Sequence, residues 1–419
     1  MVALGLGGWG AWAFFFSKAR GASSPEAAVE RALAATAGFD QVGTFFAFAP
    51  SETQMLRDGV ERLLASGYGE PPEDTDIPSI QDSLNELSDA LDVRLEDFEY
   101  TTEPVADGVE IVAIEEGRIV FAGEQSAVDD AVRDLVLGFT YESEIQAGAS
   151  VEEAIERAEL RADYSDSGIR VPATFDLRTG WDDGSGGGLD EPLRLVAVHE
   201  GSGWYVSVVM SAVQRAVDTQ NATGYGDPVQ LPGDELVDAT PAATPEDAGK
   251  EFADAIMTAA DSVFSDRGRP GVEAMGLLAS PERRIASLYL LPLLEEFQES
   301  NALRAGADEP LDWSSAGGFR AFEYGGKTMV LPEGYTITAD GSTIELDGYC
   351  FRADGGSRDC LNDEKWFREL GLDRLGLVVV REDGGWVVSV FETTGIVFDT
   401  ALMRYLELRD AGELHLLER

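Results

Sequence analysis

The sequence has little positive charge, few histidines and almost no cysteine, and each shortage excludes a class of function. It holds 31 Lys and Arg against 78 Asp and Glu, a formal net charge of -47 over 419 residues. Such a surface repels nucleic-acid phosphates and anionic lipid headgroups, so neither is expected as a partner. With 44% hydrophobic and 9% aromatic residues, the chain still has enough apolar material for two or three packed domains.

The two histidines, His199 and His415, limit the catalytic chemistry that can be expected. No H-E-x-x-H pair is present, and a Ser-His-Asp relay would depend on one of these two residues. His199 ends an apolar strand and is a conceivable general base, although a histidine at the rim of a structural hairpin is the simpler interpretation. We therefore predict no catalytic residue, no metal and no cofactor.

Three other patterns match binding motifs only in part. The glycines at 5, 7 and 10 fit a dinucleotide fingerprint but follow no strand. Gly326-Lys327-Thr328 fits a loose phosphate-binding loop, yet an apolar strand rather than a helix follows it, so a hairpin turn is expected. The acidic loop at 181–191 lacks the alternating ligand spacing of a calcium site.

The two cysteines, Cys350 and Cys360, flank a glycine-rich reversal. Their spacing predicts a disulfide formed in an oxidising compartment, and two free thiols are the alternative. Closing this loop would stabilise the fold by about 3 kcal/mol in the chain-entropy model. No histidine or further cysteine is close enough in sequence to complete a metal site.

Residues 1–16 carry no side-chain charge and are followed by Lys18 and Arg20. As a helix they would reach roughly 24 Å, which is short of the ~30 Å hydrocarbon core. Three interpretations remain open: a single-pass membrane anchor, a cleaved signal peptide and a buried helix. The first predicts a protein at the cell membrane with most of its chain extracytoplasmic, and the second predicts a secreted protein.

One sixteen-residue stretch occurs twice without a gap, at 193–208 and 375–390. Leu193, Leu195, Val196, Val198, Glu200, Gly203, Trp204, Val206, Ser207 and Val208 recur as Leu375, Leu377, Val378, Val380, Glu382, Gly385, Trp386, Val388, Ser389 and Val390. Each copy is an apolar strand, a glycine-containing reversal and a second apolar strand, which predicts a β-hairpin. Trp204 and Trp386 are expected to be structural anchors that close one end of each core.

Helix-start signals also occur twice, at Ser24-Pro25-Glu26 and at Thr244-Pro245-Glu246. A second helix is expected after each, near 50–52 and 280–282, followed by short strands within 93–121 and 319–351. Turns are expected between these strands at Asp107-Gly108, Glu116-Gly117, Gly325-Gly326, Glu333-Gly334, Asp340-Gly341 and Asp347-Gly348. We therefore predict an α+β protein with two tandem domains, at 24–217 and 244–412. A linker at 218–243 would join them, and a hydrophobic anchor or signal segment at 1–20 would precede them.

This order of capped helices, strands and a closing hairpin with G-W-x-V-S resembles the cone-shaped α+β fold of the ketosteroid isomerase and nuclear transport factor superfamily. It is similar in particular to envelope proteins of actinobacteria that place such a domain behind one N-terminal membrane helix. The resemblance implies helices packed on a curved antiparallel sheet around a cavity used for catalysis or for binding. None of the family's catalytic acids or histidines matches a position in this sequence.

Three functions follow as hypotheses. The first is a non-enzymatic, membrane-anchored extracytoplasmic protein that binds a protein partner or a small ligand in the cell envelope. The second is an enzyme of the ketosteroid isomerase type, and the third is a purely structural envelope component. A cavity that contains a buried acid with a polar partner would favour the first two, whereas filled interiors would favour the third.

Overall fold

The computed structural model describes residues 21–53, 75–164, 170–182, 187–189, 191–223, 230–265, 268–305 and 312–417. The N-terminal segment at 1–20, most of the helix predicted from residue 50 onward and part of the acidic loop lie outside these residues. Among the described residues, no helix is long and apolar enough to cross a membrane.

The described chain divides into two compact units of mixed α+β structure, each built on one antiparallel sheet. The first unit holds residues 21–50 and 75–211, and the second holds 51–53 together with the residues from 212 onward. This confirms the α+β class.

The first unit contains these elements: α1 (Pro25–Ala37), α2 (Gln41–Ala47), α3 (Ile80–Ala90), β1 (Leu91–Ala106), β2 (Val109–Gly123), α4 (Gln125–Gln146), α5 (Val151–Asp163), β3 (Ala173–Asp176), β4 (Gly180–Trp181), β5 (Leu193–Glu200), β6 (Gly203–Ser207) and the start of α6 (Val208–Thr223). β2 is its central strand. It pairs with β1 over its whole length, with β5 through its first half and with β3 through its second half. Ser24 caps α1 through its hydroxyl, as the Ser-Pro-Glu signal predicts.

The second unit contains α7 (Pro245–Ser265), α8 (Val272–Gly276), α9 (Ser280–Ile285), a π-helical turn (Ala286–Leu290), α10 (Leu291–Ala305), β7 (Trp313–Tyr324), β8 (Lys327–Ala339), β9 (Ser342–Asp347), β10 (Cys350–Ala353), β11 (Arg358–Cys360), α11 (Lys365–Glu369), β12 (Leu377–Glu382), β13 (Gly385–Val388) and α12 (Val390–Asp410). β8 takes the central place, paired with β7 along its length and with β12 and β9 at its two ends. Lys327 follows a hairpin turn and begins β8, as expected.

In each unit, backbone hydrogen bonds join the residues just before the long first helix to the closing hairpin. Ala22 exchanges two main-chain hydrogen bonds with Trp204, at 2.9 Å each, and Ala242 does the same with Trp386 at 2.8 and 2.9 Å. Further along, the amide of Ala49 donates to Val206 and that of Ala279 donates to Val388. Equivalent residues of the two repeated stretches therefore make the same backbone contacts with the chain that precedes each sheet.

Two of the expected turns did not form. Glu116-Gly117 and Glu333-Gly334 were expected to be turns, but both lie inside long strands at which the register with the neighbouring strand shifts. The segment predicted as a linker, 218–243, begins inside α6, and its described residues 230–243 belong to the second unit. Leu231 and Val237 there are buried, and the Val237 amide donates to the Ser287 hydroxyl.

Candidate functional site

The two repeated tryptophans are half-buried rather than enclosed. Trp204 packs against the core cluster of the first unit and Trp386 against that of the second. The glycine before each tryptophan has a clear steric reason. A Cβ on Gly203 would lie 2.5 Å from Gly21 Cα, and one on Gly385 would lie 2.6 Å from the carbonyl oxygen of Ala242.

In the second copy of the repeated string, Glu382 and Ser389 bind helix N-termini, a role that was not expected from the sequence. Glu382 accepts a hydrogen bond from the amide of Ser280, the first residue of α9, at 3.0 Å. Ser389 caps α12 by accepting from the Glu392 amide at 3.1 Å, and it donates to the buried carboxylate of Glu282 at 2.8 Å. The signal was present in the sequence, since identical polar residues at equivalent places in two strands indicate a shared bond.

His199, the one candidate base, is exposed and lies edge-on to Trp204 with ring centroids 5.3 Å apart. Its cross-strand pairing with Trp204 matches that of Arg381 with Trp386. A cation and an imidazole therefore occupy the same place beside the tryptophan in the two hairpins.

The predicted pair Cys350 and Cys360 forms a disulfide between facing positions of β10 and β11. The following segment is tied back to the sheet, because the Leu361 amide donates to the Tyr349 carbonyl and the Tyr349 hydroxyl donates to the Leu375 carbonyl. Burial raises the pKa of Tyr349 to about 12, with the charge of Asp373 adding to the shift.

The second unit carries an open cleft of about 620 Å³ beside α7. Its walls are one face of α7, residues 235–240 of the former linker, and α8 with the residue after it. Val237, Ala255 and Leu277 are buried and give the cleft an apolar floor. Its acidic lining residues are Glu235, Asp238, Glu251, Asp254 and Glu273.

Asp254 is the acid that is bound most firmly to the fold. Its Oδ1 accepts from the Tyr335 hydroxyl at 2.5 Å and its Oδ2 from Lys250 Nζ at 2.5 Å. Burial alone would raise the pKa of Asp254, but the hydrogen bonds from Lys250, Tyr335 and Ser315 outweigh it and lower the pKa. A carboxylate with a lowered pKa and both oxygens already bonded is a poor general base.

The other carboxylates of the cleft carry more negative charge than the lining neutralises. Arg269 is the cation among the lining residues, and it bonds to Glu235 at 2.9 Å and to Glu295 at 2.7 Å. The pKa of Glu251 is raised, first by desolvation and then by the charge of Asp247, with Asp254 adding to it. A cation inside the cleft would relieve this repulsion.

The first unit lacks carboxylates at the positions that correspond to Glu251 and Asp254. Ser24 and Thr244 occupy the same place before α1 and α7, since each accepts at its carbonyl from the residue four places on. Counting from them, Arg31 aligns with Glu251 and Ala34 with Asp254. The cleft chemistry is therefore particular to the second unit.

Metal binding finds no support in the part of the chain that the structure describes, where no three Asp, Glu, His or Cys side chains come together as ligands. No protein family model, curated protein or solved structure matches the chain. Inferences about its function therefore rest on the site itself.

Proposed function

We propose that this chain is a non-enzymatic binding protein and that the cleft of the second unit is its binding site. The observation that carries this proposal is an open cavity with an apolar floor and a firmly positioned acid, Asp254, in its wall. A purely structural component would have no need for unneutralised carboxylates around an open cavity, because their mutual repulsion costs stability.

The lining indicates the class of ligand. Asp254 is paired with Lys250 and Glu235 with Arg269, so the excess negative charge of the lining comes from Asp238, Glu251 and Glu273. This excess favours a positively charged group, and the buried floor favours an apolar body attached to it. A small organic amine has this chemistry, as does a Lys or Arg side chain presented by a protein partner. Anionic ligands and nucleic acids are disfavoured by the same charges.

Hexylammonium, hexanol and hexanoate test this proposal with purified full-length protein. Calorimetry at low salt should show binding of hexylammonium and little binding of the other two. Glu251→Gln/Glu273→Gln should weaken hexylammonium binding by roughly tenfold, since each removed charge pair is worth about 0.5–1 kcal/mol. The matched control Glu156→Gln/Glu159→Gln makes the same charge change on α5 of the first unit. Equal binding of hexanol, or an equal effect of the control, would contradict the proposal.

The natural occupant can be captured in cells. A photo-crosslinking amino acid at Glu273 lies in the cleft, and one at Glu156 provides the control position. A specific adduct from the first position alone supports the site, and mass spectrometry then identifies the adduct. Identical adducts from both positions would show that the contacts are nonspecific.

We further infer that the protein works outside the cytoplasm, attached to the membrane through residues 1–16. The Cys350–Cys360 disulfide supports an oxidising compartment, and the uncharged N-terminal run supports an anchor. Cell fractionation should recover the protein with membranes, and alkylation of freshly lysed cells should find both thiols blocked. Recovery in the cytosol with free thiols would refute the location.

A common origin of the two units is the last part of the proposal. The repeated string, the repeated strand order and the matching backbone hydrogen bonds support duplication of one α+β domain. We propose that this domain is of the ketosteroid isomerase and nuclear transport factor type, with the second copy retained for binding.

A further inference from the structure

A buried carboxylate joins α9 of the second unit to the start of α12. Glu282, on α9, is 6% exposed. Its Oε1 accepts from the Ser389 hydroxyl at 2.8 Å and from the Phe391 amide at 2.9 Å, both at the start of α12. Its Oε2 is buried without a hydrogen-bond partner in the described structure.

This arrangement satisfies one protonation state better than the other. A neutral carboxyl keeps a carbonyl oxygen that can accept both observed bonds, and its hydroxyl on Oε2 is unpaired but carries no charge. An ionised one leaves a buried oxygen that carries negative charge without a donor, which is costly in a low-dielectric interior. The positive end of the α12 dipole reduces this cost but supplies no further hydrogen bond.

The surrounding charges do not compensate the ionised form. Arg283 and Arg284 lie on α9, Arg381 and Glu382 end β12, and Glu392 of α12 is paired with Lys327 of β8. Arg283 donates to the Leu278 carbonyl. Glu382 accepts from the Ser280 amide and so places a second negative charge at the start of α9. Desolvation and the charge of Glu382 raise the pKa of Glu282, against the opposing effect of its hydrogen bonds.

The same residue types occupy the aligned positions of the first half. Glu52 comes three residues after Ala49, as Glu282 comes three after Ala279, and it is 5% exposed. Ser207 aligns with Ser389, is fully buried and accepts from the Met210 amide at 3.1 Å. A buried acid and a capping serine thus recur although the cleft residues do not.

We propose that Glu282 is a pH-operated latch on the first turn of α12. While its carboxyl is neutral, it holds that turn closed through Ser389 and Phe391. When the carboxyl ionises, the uncompensated charge draws water to the contact between Glu282 and the start of α12. The hydrogen bonds of the first turn of α12 then break.

Amide hydrogen exchange of the full-length protein between pH 4 and pH 8, corrected for intrinsic exchange, tests the latch. The opening equilibrium at Phe391 and Glu392 should rise with pH, by up to about tenfold per pH unit between the ordinary and the raised pKa of Glu282. Glu282→Gln keeps an acceptor oxygen but has no ionisation, so its profile should be flat. A flat wild-type profile, or a rise that persists in Glu282→Gln, would overturn the proposal.

Two further variants keep the test decisive if Glu282→Gln folds poorly. Glu382→Gln removes the repelling charge, which should lower the pKa of Glu282. The opening equilibrium at Phe391 and Glu392 should then stop rising at a lower pH, and its overall increase should be smaller. Glu407→Gln, which changes an acid bonded to Arg404 at the far end of α12, should leave the profile unchanged. An unchanged profile in Glu382→Gln would also overturn the latch.

Discussion

At the scale of single residues, the repeated Gly-Trp pair shows how a sequence signal acquires a physical cause. The tryptophan packs against the core, and the glycine lets the incoming chain lie against the hairpin backbone. The two requirements differ in kind, since one is the burial of a ring and the other is the absence of a Cβ. Separate substitutions can therefore distinguish them.

We expect Gly385→Ala to lower the free energy of unfolding by about 1–3 kcal/mol, because the new methyl group must displace Ala242 and Pro241. Gly318→Ala is the matched control, since a Cβ there meets no atom within 4 Å, and its cost should stay below about 0.5 kcal/mol. Urea denaturation measures both. Equal effects of the two substitutions would show that the close approach to Ala242 is not what requires the glycine.

Trp386→Ala should cost about 2 kcal/mol, less than the 3–5 kcal/mol typical of a fully buried tryptophan, because its ring is only half-buried. Trp204→Ala should cost a similar amount in the first unit. Denaturant midpoints followed by circular dichroism provide the measurement. A loss below about 1 kcal/mol in either variant would mean that the ring does not anchor its core.

Asp254 and Tyr335 should behave as a coupled pair. Asp254→Ala leaves the fully buried Tyr335 hydroxyl without its acceptor and should cost about 1–3 kcal/mol, whereas Asp254→Ala/Tyr335→Phe should recover part of that loss. The lowered pKa of Asp254 contributes stability above the ordinary aspartate pKa, and this contribution is lost as the pH falls through the lowered value. Urea titrations at pH 2–7 should show this acid loss in the wild type and less of it in Asp254→Asn. Strict additivity of the two substitutions would refute the coupling.

At the scale of elements, local signals in the sequence predicted the starts of helices and the positions of turns better than the lengths of strands. Ser24 capped its helix as expected, and Asp107-Gly108 and Asp340-Gly341 formed tight turns. Glu116-Gly117 and Glu333-Gly334 also place an acid before a glycine but lie in continuous strands. Whether a glycine turns the chain or marks a bulge depends on the neighbouring strand, which a local pattern does not contain.

The candidate site was beyond prediction for a related reason. Asp254 and Tyr335 are 81 residues apart, and only the packing of α7 on the second sheet brings them together. In a chain with 78 acidic residues, no single carboxylate stands out by type. The disulfide could be predicted because its two cysteines are the only pair available.

The disulfide itself should matter mainly for one strand pair. Cys350→Ser/Cys360→Ser should reduce the free energy of unfolding by about 3 kcal/mol, since it removes the constraint on the unfolded chain. Amide hydrogen exchange should increase at β10 and β11, because only the backbone pairing of three residues on each strand would then join them. Dithiothreitol should destabilise the wild type by the same amount and leave the double variant unaffected. A wild type that is insensitive to reduction would contradict this expectation.

At the scale of the whole molecule, net charge opposes folding. An excess of 47 negative charges raises the energy of any compact state, and added salt screens that repulsion as the Debye length falls from about 30 Å at 0.01 M to about 10 Å at 0.1 M. The free energy of unfolding should therefore rise by at least about 1 kcal/mol over this range, the energy of one charge pair 4 Å apart in water. Choline chloride is the control for NaCl, because screening depends on ionic strength and not on the cation. Stability that falls with salt would mean that favourable ion pairs such as Lys250–Asp254 outweigh the global repulsion.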